Sequence, residues 1–134
     1  MTKEQERKRA WLRRGLKIER RAEALEALWC RDLRLADYGE ELLGMSGREL
    51  LRCLQMQMEE DLWALCWCRE EILARIRCIG DDDLEAILIN RFLCGRTCQE
   101  TADAMHYDVR TIQRKLLDAL DALEIPEAYK KPAP

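Results

Sequence analysis

The side chains best equipped for chemistry lie close together near the C-terminus. Arg110, Thr111, Gln113, Arg114 and Lys115 fall within six positions of one another. These types hydrogen-bond base edges and phosphates: Arg pairs well with guanine, Gln with adenine, and Lys brings a positive charge to phosphate. Thr97, at the start of the preceding segment, is counted with them as a DNA-binding candidate.

Catalysis and metal binding find less support. There is no Gly-rich phosphate loop, and no Ser/His/Asp or metal-ligand cluster at recognisable spacing. Zinc needs four converging ligands. Cys66 and Cys68 are two apart, which on a helix points them to different faces. Cys94 and Cys98 with His106 make at most three ligands. The acidic runs Glu59-Glu60-Asp61 and Asp81-Asp82-Asp83 read more simply as a solvated face and a helix start. No catalytic residue, metal or cofactor is expected.

The elements that must position the polar cluster are legible from their caps. Thr97 with Glu100 forms a capping box that opens a short helix lasting to about Met105. Asp108 is a second N-cap and opens a helix over 109–123. Two helices about three residues apart have helix-turn-helix spacing. Ala102 is small where the helices approach, Met105 and Tyr107 flank the turn, and Ile112, Leu116 and Leu120 make an inward stripe. Arg110, Thr111, Gln113 and Arg114 are left facing outward, with Lys115 beside them.

Upstream, apolar residues at Trp11, Gly15, Ile18, Ala22, Leu25 and Trp29, flanked by Leu12, Leu16, Leu28 and Leu35, predict one helix from about Thr2 to Asp37. Tyr38-Gly39 ends that pattern, and Gly44 and Gly47 bracket a short connection. Ser46 with Glu49 fits another capping box. The second helix then runs to about Ile79, with Leu51, Leu54, Met58, Leu62, Leu65, Ile72, Ile76 and Ile79 on its stripe. It is about 50 Å long and needs a partner, most simply the first helix folded back antiparallel. Trp63 and Trp67 lie on a flank, where they either pack on the first helix or recruit a second copy. Gly80 stops this helix, and a third covers about Asp82 to Cys94, closed by Gly95.

The fold expected is therefore all-α: a long antiparallel helical hairpin arm over 1–79, a three-helix helix-turn-helix module over 80–125, and a disordered tail over 126–134. Composition agrees. Charged residues make up 37% of 134, Val and Phe occur once each, and 6 Gly and 3 Pro leave few breakers. No apolar run is long enough for a membrane span, and Met1–Glu6 has no apolar stretch of a signal peptide, so a cytoplasmic setting is expected. The seven cysteines, odd in number and mostly at apolar helical positions, read as reduced thiols serving as small hydrophobes.

The net charge of -3 does not advertise a nucleic-acid binder, but its distribution is uneven. Met1 to Arg21 carries nine basic residues against three acidic, whereas Asp81 to Ile125 carries five against ten. Around the polar cluster, Asp108 to Leu116, the balance is positive. DNA binding by this unit alone should be weak and salt-sensitive, unless a dimer or the basic N-terminal helix assists.

The stretch from Asp81 to Leu123 resembles sigma-factor region 4. The whole layout is similar to small phage-type transcriptional regulators of the ArpU/RinA kind. The resemblance rests on Arg91-Phe92 and Gly95 ending a charged helix, on Thr97 capping Glu100-Thr101-Ala102, and on Val109-Arg110-Thr111-Ile112-Gln113-Arg114 after the turn. It covers about a third of the chain well and the arm only in kind. Two positions depart from the family pattern. His106 stands where the turn usually has Gly, and His tolerates a left-handed backbone better than most residues. Thr101 stands at an apolar position, where its hydroxyl can bond back to a carbonyl one turn earlier.

The resemblance implies a sequence-specific DNA-binding transcription regulator, phage or prophage derived. Its expected partners are double-stranded DNA, a second copy of the chain through the helical arm, and RNA polymerase as a further candidate. A full sigma factor is not expected, because these 134 residues hold no second basic, aromatic-rich module to open promoter DNA. The competing readings are a phage assembly or packaging adaptor of the small-terminase kind, and a protein-interaction module using the helical arm.

Overall fold

A computed structural model describes residues 1–35 and 47–132. The chain is all-α, with no strand among the described residues. The helices are α1 (Lys3–Leu12), α2 (Arg14–Leu35), α3 (Gly47–Arg77), α4 (Asp82–Leu88), α5 (Cys98–Met105) and α6 (Val109–Ala122), with a π-helical turn at Ile89–Leu93 after α4. The expected end near Asp37, the Tyr38-Gly39 stop, Gly44 and the Ser46 cap lie outside the described residues.

Thr2 and Gln5 form a capping box that opens α1: the Gln5 amide donates to the Thr2 hydroxyl at 3.1 Å, and Gln5 Oε1 accepts from the Thr2 amide at 2.9 Å. The helix expected to run unbroken to Asp37 instead stops at Leu12 and restarts at Arg14. The cause is local. Arg14 Nε donates to the Trp11 carbonyl at 2.9 Å, and its guanidinium lies 4.6 Å from the Trp11 ring centroid. A side chain that takes a ladder carbonyl is one of the few things that break a helix without Pro or Gly.

Gly80, at φ 80°, follows the tightening bonds Cys78 N–H to Arg75 O and Ile79 N–H to Ile76 O that close α3. Asp81 then caps α4, accepting from the Leu84 amide at 3.2 Å. The expected third helix to Cys94 is α-helical only as far as Leu88. Asn90 Nδ2 takes the Ala86 carbonyl at 2.8 Å, and the Cys94 amide reaches back five residues to Ile89 O. Competition by a short polar side chain for the ladder accompanies the change to π geometry.

The chain divides into two compact units, Met1–Leu16 with Cys68–Pro134, and Lys17–Trp67. This differs from the expected division at residue 79. In the first unit α1 packs on α6, and α6 packs on α4 and α5. The core consists of Trp11 and Leu12, Ile72 and Ile76, Ile87, Leu88 and Phe92, Ala102, and Ile112, Ala119 and Leu120, all essentially sealed from water. The N-terminal helix is therefore part of this core and not of an arm.

The segment expected to be a disordered tail also packs. Arg7 Nη1 donates to the carbonyls of Pro126 and Tyr129 at 3.2 and 2.9 Å, and just ahead of them Leu123 and Ile125, within the expected module, are buried. Both acceptors lie in the stretch 126–134 that is expected to be disordered. In the second unit, Asp61 is buried and receives Arg21 through two bonds, Nη2 to Oδ1 at 2.6 Å and Nε to Oδ2 at 3.1 Å. Gln57 Nε2 adds a third at 3.4 Å. Leu65 is buried on the same side of α3, whereas Leu62, expected on the packing stripe, is 53% exposed.

Candidate nucleic-acid interface

The turn between α5 and α6 is three residues long, His106 to Asp108. Thr97 caps α5: its hydroxyl accepts from the Glu100 amide at 3.1 Å, and Glu100 Oε1 accepts from the Thr97 amide at 3.0 Å. These bonds hold the Glu100 carboxyl below its ordinary range. Thr101, fully buried, donates from Oγ1 to the Thr97 carbonyl at 2.8 Å, so its hydroxyl has a partner inside the core. His106 adopts φ 59° and ψ 39°, the left-handed conformation expected of the turn residue.

Asp108 then caps α6, accepting from the Thr111 amide at 2.7 Å. Bonds from Thr111, and more weakly the charge of Arg114, hold the Asp108 carboxyl below its usual value. Ile112, Leu116, Ala119 and Leu120 are buried against the core, so the opposite side of α6 faces water.

The six predicted residues separate into two groups. Arg110, Gln113 and Arg114 are exposed on one side of the first two turns of α6. None of the three makes a hydrogen bond or ion pair among the described residues. The other three are engaged. Thr97 is exposed, but its hydroxyl and amide serve the α5 cap. Thr111 is half-buried, with its amide bound by Asp108.

Lys115 departs furthest from expectation. Its Nζ donates to Asp83 Oδ2 at 3.3 Å and lies 5.1 Å from the Tyr107 ring centroid. The same carboxylate oxygen accepts the Tyr107 hydroxyl at 2.6 Å. Lys115 thus ties α6 to the start of α4 and does not project freely. Periodicity places it beside the outward row, but only the tertiary partner Asp83, 32 residues away in sequence, shows where its charge goes.

Several of the module's acidic groups are likewise engaged internally. Asp83 is bound by Tyr107 and Lys115, Asp108 and Glu100 serve the caps, and Asp121 Oδ1 accepts Gln5 Nε2 at 2.8 Å. Two of the N-terminal basic residues, Arg7 and Lys8, are engaged in the same way. Arg7 also pairs with Glu4 at 2.7 Å, and Lys8 Nζ donates to the Asp121 carbonyl at 3.3 Å. Lys8 sits at the far end of α6, away from Arg110 and Arg114 on its first turns.

Sequence reading did not single out Arg96. It is exposed immediately before the α5 cap, with Nη1 donating to Asn90 Oδ1 at 2.7 Å. A basic residue directly ahead of a capping box was the available signal.

Among the described residues no three His, Cys, Asp or Glu side chains are grouped to hold a metal ion. All seven cysteines are free, and five of them (Cys30, Cys53, Cys66, Cys78 and Cys94) are exposed, not the small buried hydrophobes expected. Only Cys68 is buried, and burial pushes its thiol pKa up. No helix among the described residues is long and apolar enough to cross a membrane. Compared with protein-family models, curated proteins and solved structures, the chain matches none.

Proposed function

We propose that this protein is a sequence-specific DNA-binding transcription regulator that inserts the first two turns of α6 into the major groove. One observation carries the reading. Arg110, Gln113 and Arg114 stand exposed and, among the described residues, without hydrogen-bonded partners, at the start of a helix whose other side is sealed into the core. A short capped helix, a left-handed turn residue and a second capped helix give them a rigid mount. Rigid placement matters because a bidentate base contact contributes about 1–3 kcal/mol of discrimination only when its geometry is held.

The likeness to region-4 and ArpU/RinA-type regulators supports the same role and suggests a phage or prophage setting inside the cytoplasm. In this reading double-stranded DNA is the main partner and RNA polymerase a second. The helical arm, an antiparallel hairpin tied at Arg21 and Asp61, joins two copies. Two copies also answer the charge problem, since each α6 brings only two unneutralised cations and phosphate contacts add in number.

The test is selection from a pool of random duplexes at low salt, followed by sequencing of the retained DNA. Enrichment of a common motif, lost in the Arg110→Glu/Arg114→Glu variant, is the expected result. Retention without any shared motif rejects sequence-specific reading. A ring of many subunits on mass measurement favours the packaging-adaptor reading instead.

A further inference from the structure

The face of α3 opposite Asp61 and Leu65 carries an uncovered apolar patch among acidic residues. Trp63 and Trp67 are 68% and 67% exposed, Met56 57% and Leu62 53%. At 100° per residue, Met56, Trp63 and Trp67 fall within an arc of about 40°, with Leu62 and Cys66 along one flank. Asp61 and Leu65 point the other way and are buried. The exposed patch is therefore distinct from the side of the helix that packs within the chain.

Glu59, Leu62, Trp63 and Cys66 line a shallow groove of about 190 Å³ on this face. A cavity of roughly 150 Å³ suffices for a benzene ring, so the groove is large enough for an aromatic side chain. Its walls are apolar except for the Glu59 carboxylate at the rim. A ring with one N–H donor matches that chemistry, and Trp67 presents such a ring one turn further along the same helix.

We infer that this face of α3 is an isologous interface with a second copy of the chain, in which Trp67 of each copy fills the Glu59–Leu62–Trp63–Cys66 groove of the other. A twofold axis beside Trp63, with the two α3 helices antiparallel, sets position 67 of one copy opposite position 59 of the other. The indole N–H of Trp67 then donates to the Glu59 carboxylate across the interface. One patch supplies both the knob and the hole, as twofold symmetry requires.

Area supports the same occupant. Fully buried aromatic side chains cover about 150–250 Å² each. Two tryptophans exposed by two-thirds, with Met56 and Leu62 exposed by half, present roughly 400–500 Å² of apolar surface. A standard interface buries about 800 Å² per partner, with about 65% of its core apolar. The patch is close to that apolar share, and it sits near the top of what a lone soluble chain leaves uncovered.

This inference deepens the dimeric part of the function proposed above and rests on it, but it does not require DNA binding. The experiment is sedimentation equilibrium of the full chain, wild type and Trp67→Glu, with helix content followed by circular dichroism. Because Trp67 is exposed, the variant keeps its fold. The expected result is a wild-type dimer whose dissociation constant rises at least about a hundredfold in Trp67→Glu. A wild-type dimer that Trp67→Glu leaves unchanged overturns this interface while the dimeric reading stands. A wild-type monomer at about 100 μM, with the face then serving another protein, overturns both. Should Trp67→Glu lose helix content, Glu59→Lys, at the exposed rim, is measured in its place and read by the same outcomes.

Discussion

The Tyr107 hydroxyl donates to Asp83 Oδ2 at 2.6 Å, joining the turn between α5 and α6 to the first turn of α4. Lys115 reaches the same oxygen from α6 and packs over the Tyr107 ring. The turn and the start of α6 are thereby fixed to α4, which is distant from both in sequence. That fixes the direction in which Arg110, Gln113 and Arg114 are presented.

The clamp predicts a particular dependence on pH. Hydrogen bonds from Tyr107 and Lys115 hold the Asp83 carboxyl below its ordinary value. Its contribution is therefore present above about pH 4, its unfolded range, and is lost as pH falls through the lowered folded value. The bond to Asp83 raises the Tyr107 phenol. That contribution is present below about pH 10 and is lost as pH rises through the raised value. Tyr107→Phe should lower the thermal midpoint between about pH 5 and 9, and the deficit should shrink below pH 4. A deficit that persists unchanged at pH 2 contradicts the clamp.

Two backbone positions should respond oppositely to substitution. His106 holds φ 59°, a conformation that costs an L-residue about 1–2 kcal/mol and glycine little. His106→Gly should stabilise by about 0.5–1 kcal/mol, reduced by the greater freedom of glycine in the unfolded chain. Gly95 holds φ 70°, so Gly95→Ala should destabilise by about 1–2 kcal/mol. Urea unfolding midpoints read both, and a loss of stability in His106→Gly contradicts the left-handed turn.

Within the second unit, the buried Asp61 carboxylate depends on Arg21, whose own guanidinium pKa the pairing raises. Removing the cation leaves a desolvated charge, whereas removing both partners does not. Arg21→Met should therefore unfold at lower denaturant than the Arg21→Met/Asp61→Leu double variant. Equal midpoints for the two would show that the pair contributes no such coupling.

The parts of the module legible in sequence are those that local chemistry decides. Caps at Thr97 and Asp108 follow from a short oxygen placed three residues before a free amide. The buried stripe of Ile112, Leu116 and Leu120 follows from helical period, and the roles of His106 and Thr101 from their chemistry at turn and core positions. The failures are tertiary. Nothing in the 3.6-residue period marks Arg14 as the side chain that takes the Trp11 carbonyl, so the break at Arg13 was invisible. Lys115 is expected beside the outward row as a DNA contact, because its partner Asp83 is distant in sequence. Sequence places the N-terminal helix in the arm because its docking on α6, through Gln5 with Asp121 and Lys8 with the Asp121 carbonyl, spans more than a hundred residues.

The polar row of α6 bears the whole functional reading, and its most direct test is a binding titration against the selected duplex. Affinity is followed as salt is raised, for wild type, Arg110→Ala, Gln113→Ala and Arg114→Ala. The account predicts weaker binding in all three. A cation that meets phosphate lowers the salt slope by about one, and a residue that reads a base costs about 1–3 kcal/mol and relaxes preference at one position. Binding by the wild type that all three variants retain, at unchanged slope and preference, contradicts the account.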